Sequence, residues 1–447
     1  MIGLIMFGAA LVMLAIGYPV AFTFGSVSIF FGIAAVIIQM WPDMSLVGIS
    51  SEFFQMFSMM PFRIFYIMRN TILMAVPLFI FMGIILQKSG LAERLLEAMG
   101  TLFGKVRGGI AVSTVLVGAL LAASTGVVGA SVVAMGVISL PVMLKYGYSK
   151  QLSTGVICAS GTLGQIIPPS IVLIVLGDVF QQPVGDLFQA AVGPGVTLIV
   201  LYILYILFIS FVKKDIAPAM PRHEGTKTAN LLEALRAIIP PLTLVLLVLG
   251  SIFMGVATPT ESASVGCIGA TLLAAFYRRL NWKIVEEASL TTVKITGMVF
   301  AILIGATAFS MVFIYSGADY IVEDALLALP GQRWTFIFLT MLTIMVLGFF
   351  IDFIEISYIV IPIILPISAR LGIDPLWFSI LIAMNLQTSF LTPPFGFSLF
   401  FLKGVCPPDL KTTDMYKGVI PFIFLQILVL LSLVIFPGVY GFKPFLE

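Results

Sequence analysis

Long apolar stretches separated by short polar segments form the dominant pattern along this chain. Most of the stretches that lack Lys, Arg, Asp and Glu are long enough to cross about 30 Å of hydrocarbon as a helix of roughly 20 residues. They cover residues 1–42, 108–144, 151–177, 187–212, 237–260, 295–318, 375–402 and 418–442. Ten-residue segments that alternate apolar and polar positions are missing, which argues against a β-barrel. The pattern predicts an all-α polytopic membrane protein.

Composition and charge narrow the possible classes of function. Of the 447 residues, 60% are hydrophobic and only 10% are charged, whereas about 25% are charged in a soluble domain. A net charge of +2 without any basic patch argues against nucleic-acid binding. Cys158, Cys267 and Cys406 have no zinc-type or disulfide spacing, and the single histidine, His223, lies in a polar stretch. We therefore predict a lipid bilayer as the environment, no metal cluster and no soluble enzyme.

Several apolar segments are interrupted by small or helix-breaking residues. Residues 109–145 are too long for one crossing and contain a small-residue run at Ser124–Gly126, which predicts a re-entrant hairpin. A broken helix follows at 150–179, and a second hairpin and broken helix are predicted later in the chain, at 334–367 and 374–403. The predicted breaks of the two broken helices are Cys158–Ser170 and Asn385–Gly396. The remaining polar elements are an interfacial arm at 39–70, amphipathic pieces at 91–100 and 281–291, and a loop at 213–236.

An internal repeat relates the two halves. With a shift of 225 residues, Leu140-Pro141 aligns with Leu365-Pro366, and Pro168-Pro169 aligns with Pro393-Pro394. Each copy consists of a span, a hairpin, a broken span and a span, which makes three net crossings. Two further spans separate the copies, so the second copy is inverted. The predicted organisation is a scaffold with the arm (1–70), repeat 1 (71–212), a cytoplasmic loop with two connecting spans (213–294) and repeat 2 (295–447).

The basic residues orient this topology. When the first hairpin opens to the cytoplasm, 18 of the 23 Lys and Arg residues fall in cytoplasmic segments. The positive-inside rule favours this orientation, which makes both termini periplasmic.

Inverted repeats with broken helices are typical of secondary transporters, whose sites lie where half-helices meet. Freed carbonyl groups suit Na⁺, and half-helix N-termini suit a carboxylate. The candidate ligands of substrate or ion are Ser124, Thr125, Gly126, Ser160, Gly161, Thr162, Asp352, Asn385, Thr388, Thr392 and Pro393. The candidate sodium ligands among them are Ser124, Gly161, Asp352, Asn385 and Thr392, and no other cofactor is expected.

Two alternatives remain open for these residues. Small hydroxyl-bearing and glycine residues also pack membrane helices closely. The carboxylates of Asp352 and Glu355 either take part in transport at membrane depth or have no such role. In the second case they are solvated or cap the following half-helix.

Three motifs closely resemble the large membrane subunit of TRAP (tripartite ATP-independent periplasmic) transporters. They are GTLGQIIPPS at 161–170, VATPTESASVG at 256–266 and LTPPFG at 391–396. The resemblance implies a sodium-driven elevator-type importer of organic acids in the bacterial inner membrane. It also implies two partners, a small four-helix membrane subunit and a periplasmic substrate-binding protein. Family sodium sites map onto Ser124–Gly126, Gly161-Thr162, Asp352 and Asn385–Pro393.

The substrate expectation rests on two departures from the best-known members of that family. The second hairpin reads Ile-Asp-Phe-Ile-Glu-Ile at 351–356 instead of the more usual Leu-Asp-Pro, and the 39–70 insertion is long. Both features resemble the branch for mannitol, chloroaromatic or 2-oxo acid substrates, so we expect a 2-oxo or other monocarboxylic acid. The alternatives are C4-dicarboxylate or sialic acid uptake by the same mechanism, or an ion-coupled elevator carrier without a binding protein.

Other classes of membrane protein fit less well. An intramembrane enzyme lacks His-Glu-x-x-His and Gly-x-Ser-x-Gly motifs, and an ATP-driven permease would need its Walker motif on another chain. A channel does not require two inverted hairpins with matching broken helices.

Overall fold

The computed structural model describes residues 1–40, 45–104, 106–126, 128–219, 227–328, 330–408 and 410–446. Across these ranges the chain is helical, and β pairing is limited to one isolated bridge between Ile373 and Phe445. The predicted all-α fold class is confirmed.

The helices follow one another closely along the chain. The first half contains α1 (Ile2–Ile16), α2 (Val20–Gln39), α3 (Leu46–Met56), α4 (Met60–Arg69), α5 (Thr71–Lys88), α6 (Leu91–Phe103), α7 (Gly109–Thr125), α8 (Val128–Lys145), α9 (Lys150–Thr162), α10 (Ile171–Phe180) and α11 (Val184–Val212). The second half contains α12 (Lys227–Phe253), α13 (Pro259–Phe276), α14 (Trp282–Tyr315), α15 (Ala318–Leu327), α16 (Gln332–Leu347), α17 (Phe353–Glu355), α18 (Ile361–Arg370), α19 (Pro375–Leu391), α20 (Phe397–Lys403) and α21 (Thr412–Ile435). Short 3-10 turns cover Leu163–Gln165 and Pro437–Tyr440, and a π turn covers Ile356–Val360.

Local signals explain several helix boundaries. Gly126 adopts a left-handed conformation (φ +61°) after α7, which lets the chain reverse into α8. In the Thr-Pro-Thr-Glu motif, the Thr258 hydroxyl accepts the Glu261 N–H at 3.3 Å. The Glu261 carboxylate accepts the Thr258 N–H at 2.8 Å in return. This reciprocal pair is a capping box, so the motif starts α13 and satisfies two N–H groups there.

Two predicted elements differ in the structure. The polar loop at 213–236 is shorter, because α12 begins at Lys227 and neither Gly nor Pro occurs between 227 and 239. The amphipathic piece at 281–291 is not separate but forms the start of the 34-residue helix α14. No helix-breaking residue stands between it and the following apolar segment.

Among the described helices, eight are long and apolar enough to cross a membrane. They are Val20–Gln39, Thr71–Lys88, Val128–Lys145, Val184–Val212, Leu235–Phe253, Trp282–Tyr315, Phe353–Arg370 and Thr412–Ile435. The first arms of the two hairpins, α7 and α16, are shorter, with 17 and 16 residues. The helix–turn–helix form of each hairpin is present, whereas its return to the same face of the membrane stays a prediction.

The chain divides into two compact units. Unit 1 comprises residues 1–73, 293–375 and 445–447, and it contains the arm helices and the second hairpin. Unit 2 comprises residues 74–292 and 376–444, and it contains the first hairpin and both broken helices. This division cuts across the two repeats, since elements of repeat 2 belong to both units.

Helix α9 lies at the centre of unit 2. It packs against α7, α8 and α21. Its closest approach is to α21, where a methyl group on Gly155 would lie 2.1 Å from the Gly418 carbonyl oxygen. Only glycine permits backbones to come this close, as at many membrane helix crossings.

Candidate functional site

The first broken helix is interrupted by one irregular segment. Helix α9 ends at Thr162, a 3-10 turn and a cis Pro168-Pro169 bond follow, and α10 begins at Ile171. Ser170 joins the two sides of this break. Its hydroxyl donates to the Gln165 carbonyl at 2.7 Å and accepts the Leu173 N–H at 3.5 Å. The C-terminus of one half-helix and the N-terminus of the other are thus held a few residues apart.

The second broken helix has a shorter break. Helix α19 ends at Leu391, and α20 begins at Phe397 after a cis Pro393-Pro394 bond and Gly396 at φ +36°. The Ser398 hydroxyl donates to the Phe390 carbonyl at 3.0 Å. The hydroxyl of Tyr416 donates to the Pro394 carbonyl at 2.8 Å. Side chains therefore satisfy carbonyls that the break leaves without a helical partner.

The tip of the first hairpin packs on the first break. A methyl group on Gly126 would lie 3.0 Å from Ile171, and one on Gly164 would lie 3.2 Å from the Ala122 carbonyl oxygen. The structure thus brings the hairpin turn, where the sequence predicts ligands, against the 163–171 break, which directly follows the predicted ligands Ser160, Gly161 and Thr162. Ser124 and Thr125 lie in the last turn of α7, and their side chains are outside the described part of the structure.

The predicted breaks are longer than the observed ones. The sequence predicts unwound backbone over Cys158–Ser170 and Asn385–Gly396, but Ser160, Gly161 and Thr162 belong to α9. Likewise, Asn385 and Thr388 belong to α19, and only Thr392 and Pro393 lie in the second break. The hydroxyl groups do not require an unwound backbone here, because they donate to carbonyls three or four residues earlier in the chain. These bonds run from Ser160 to Ile157, from Thr162 to Ala159, from Thr388 to Met384 and from Thr392 to Thr388.

Two fully buried glutamines are the feature that the sequence interpretation missed. Gln165 lies in the 3-10 turn of the first break, and Gln387 lies in the last turns of α19. Both are 0% exposed, and neither amide oxygen nor amide nitrogen has a hydrogen-bond partner within the described residues. Leaving such a group unpaired costs about 1–3 kcal/mol. Their position inside long apolar stretches is the sequence signal that points to them.

A third buried glutamine provides a contrast. Gln426 of α21 donates to the Tyr202 hydroxyl at 2.8 Å and to the Thr162 hydroxyl at 3.4 Å. It therefore ties α21 to α11 and to the end of α9. The amide nitrogen of Gln426 thus has a structural role, although its amide oxygen has no partner within the described residues. In Gln165 and Gln387 both the nitrogen and the oxygen remain available to a ligand.

The second hairpin belongs to unit 1, and its acidic residues form a cap. The Asp352 carboxylate accepts the Phe353 N–H at 2.7 Å, and the Glu355 carboxylate accepts the Asp352 N–H. Asp352 is half-buried and Glu355 is buried. The capping alternative for these carboxylates is thus observed, and a sodium contact by Asp352 stays a prediction.

The arrangement in unit 2 favours ions of both signs. The C-terminal carbonyls of α9 carry partial negative charge, and the N–H groups at the start of α10 carry partial positive charge. Unpaired amide groups of Gln165 lie between them along the chain, and each glutamine amide offers two donors and one acceptor.

Comparison with known proteins gives consistent matches. Residues 7–439 match the family described as "Tripartite ATP-independent periplasmic transporter, DctM component". The C4-dicarboxylate TRAP transporter large permease protein DctM of Pseudomonas aeruginosa is 31% identical over 378 residues, or 84% of this chain and 87% of that protein. The sialic acid TRAP transporter permease protein SiaT of Haemophilus influenzae is 27% identical over 384 residues, or 86% of this chain and 61% of that protein.

A solved structure is similar in fold. The crystal structure of the YdaH transporter of Alcanivorax borkumensis matches with a TM-score of 0.61 and 14% sequence identity. The match covers 89% of this chain and 90% of that one. At this identity the likeness concerns the fold alone.

Proposed function

The chain belongs to the DctM family, the large permease component of tripartite ATP-independent periplasmic transporters, and on that premise we propose sodium-coupled import of a small organic acid. The acid crosses the bacterial inner membrane after delivery by a periplasmic binding protein, and a small four-helix subunit completes the membrane complex. Both termini face the periplasm, and transport follows an elevator mechanism.

One observation carries this proposal. A single compact unit contains both helix breaks, and each broken helix has a fully buried, unpartnered glutamine amide near its break. Polar groups that are buried without partners destabilise the ligand-free protein. A ligand that pairs with Gln165 and Gln387 would remove that cost, which supports a binding site at the breaks.

The oxygen atoms near the breaks suit a sodium ion. Sodium is a hard cation, and broken membrane helices coordinate it through unwound carbonyls and half-helix C-termini. In this chain the carbonyls at the ends of α9 and α19 are half-helix C-termini. The hydroxyl oxygen of Thr392 lies just after the end of α19 and offers a further oxygen ligand. Ser124, Gly161 and Asn385 remain the other proposed sodium ligands of unit 2, and Asp352 remains a separate proposed sodium ligand of unit 1.

The charge of the site favours a monocarboxylate. No Lys or Arg is among the buried residues in the part of the chain that the structure describes. A carboxylate would therefore be held by the amide donors of Gln165 and Gln387 and by the N–H groups at the start of α10. Such neutral donors compensate the lost hydration of one negative charge more readily than that of two. We accordingly propose a 2-oxo or other monocarboxylic acid.

A second candidate substrate is a C4-dicarboxylate. It is supported by the 31% identity to a C4-dicarboxylate permease of Pseudomonas aeruginosa. Sialic acid, itself a monocarboxylate, is the third choice and is supported by the more distant SiaT relative.

The test is uptake by proteoliposomes that contain the chain with its small subunit. A thermal-shift screen of organic acids against the partner binding protein first identifies the substrate. Uptake is then measured with inward gradients of sodium or of choline, with and without the loaded binding protein. We expect uptake only with sodium and binding protein together. Equal uptake with choline would refute sodium coupling, and uptake without the binding protein would refute the tripartite assignment.

A further inference from the structure

A cavity of about 660 Å³ lies in unit 2, and its lining includes no residue of either helix break. One side of the cavity is basic, with Lys88, Arg278 and Arg279. Another part of the lining is an apolar face of α8 that includes Val133 and Val137. A cavity with these two sides matches an amphiphile rather than a fully polar or fully apolar ligand.

The two arginines provide the excess positive charge. Lys88 is paired with Glu287 at 2.5 Å, so its charge is balanced. Arg278 and Arg279 form no ion pair with any carboxylate of the described residues. Two guanidinium groups, each able to form a bidentate contact with a phosphate, are therefore available at the cavity wall.

The backbone at Arg278 is unusual. It follows the end of α13 with φ +54°, a left-handed conformation that favours glycine or asparagine. The next N–H, that of Arg279, donates to the Ala274 carbonyl at 3.0 Å and closes the helix end. This left-handed residue ends α13 and places Arg278 and Arg279 next to each other in the lining of the cavity.

The surroundings locate the cavity at a membrane surface. Lys88 ends α5, Arg278 follows the end of α13, and Trp282 begins α14. Lys88 and Trp282 lie at the ends of two candidate spans, α5 and α14, and basic residues and tryptophan at such ends lie at headgroup level. Trp282 is 80% exposed, and Val137 on the apolar side is 56% exposed. The apolar wall thus continues onto the outer surface of α8, where an acyl chain would lie.

We propose that this cavity binds the phosphate headgroup of an anionic phospholipid, with an acyl chain against Val133 and Val137. Basic pockets between membrane helices commonly select lipids of this kind. The apolar wall distinguishes this ligand from a free phosphate or a soluble organic acid, neither of which would use it.

The test is native mass spectrometry of the full-length chain in detergent, titrated with dioleoyl phosphatidylglycerol or dioleoyl phosphatidylcholine. We expect the wild type to prefer phosphatidylglycerol by at least about 10-fold. Replacing both arginines, as Arg278→Asn with Arg279→Gln, should lower affinity for phosphatidylglycerol by about 30-fold, or about 5-fold for each charge. Asparagine is chosen at 278 because it tolerates a positive φ.

Two controls keep the result interpretable. Lys213→Gln with Lys214→Gln removes two adjacent charges that do not line the cavity, and it should retain the preference. Arg278→Lys with Arg279→Lys keeps the charge and should retain most of it. Equal binding of both lipids by the wild type, or an equal loss in the Lys213 and Lys214 variant, would overturn the proposal. Competition by 10 mM glycerol 3-phosphate would overturn it too, because the site would then bind soluble anions.

Discussion

Replacing each of three buried glutamines with methionine separates ligand-binding amides from structural ones. Gln165, Gln387 and Gln426 are all 0% exposed and all belong to unit 2. Methionine has nearly the same volume, so each replacement removes the amide without leaving a cavity. The main expected difference between the variants is therefore that the wild-type amide nitrogen has partners at Gln426 and none at Gln165 or Gln387.

The expected magnitudes follow from those hydrogen bonds. Gln165 and Gln387 have no partner within the described residues, so Gln165→Met and Gln387→Met should each raise the free energy of unfolding of the ligand-free protein by about 1–3 kcal/mol. Gln426 donates to Tyr202 and Thr162. Gln426→Met should lower the free energy of unfolding by about 1 kcal/mol, because the loss of two bonds of about 1 kcal/mol each outweighs the relief of its single unpaired oxygen.

The assay combines thermal unfolding of detergent-purified protein with substrate uptake by proteoliposomes. Gln165→Met and Gln387→Met should melt higher than the wild type without substrate and yet lose at least about 10-fold in uptake. Lower melting temperatures for both variants would mean that their amides are already satisfied, and the reasoning would be wrong. Higher stability with unchanged uptake would show that the amides do not contact the substrate.

The remaining predictions concern packing, capping and sodium. Gly155→Ala should destabilise the protein by about 3 kcal/mol, because its methyl group would lie 2.1 Å from a carbonyl oxygen of α21. The control Gly250→Ala, whose methyl group would have nothing within 4 Å, should be neutral or slightly stabilising. Equal melting temperatures of the two variants would contradict this prediction. Thr258→Ala should cost about 1 kcal/mol of stability through loss of the α13 cap, and an unchanged melting temperature would argue against that role. Ser124→Ala and Asn385→Ala should each raise the sodium concentration needed for half-maximal uptake, and unaltered sodium dependence in both would reject these ligands.

Much of the fold can be predicted from the sequence, because its strongest signals have a direct physical cause. Charge-free stretches predict the spans, since charges are expensive in hydrocarbon. Proline cannot donate an N–H to the helix, so Pro168-Pro169 and Pro393-Pro394 mark the two breaks correctly. Gly126 marks the first hairpin turn, because glycine adopts a positive φ without strain.

The extent of the breaks could not be predicted from residue types alone. Serine and threonine can either serve an unwound segment or donate back to their own helix, and Ser160 and Thr388 do the second. Which buried amides have partners was also out of reach. Gln426 stands in an apolar run, and only the fold puts the Tyr202 hydroxyl beside its amide nitrogen.

The division into compact units was also beyond the sequence pattern. The repeat suggests that each hairpin stays with its broken helix, yet the second hairpin belongs to unit 1 and nearly all of α19 to unit 2. Long-range packing decides this division, and a pattern of local periodicity does not contain it.

The central claim is that a sodium gradient drives uptake through this permease. The most direct measurement is the steady-state accumulation ratio of the substrate in proteoliposomes that contain the membrane complex and the loaded binding protein. The sodium gradient is varied stepwise at constant membrane potential. Sodium coupling predicts that accumulation rises above unity and increases with each step of the sodium gradient. An accumulation ratio that stays at unity, or that does not change with the sodium gradient, would contradict it.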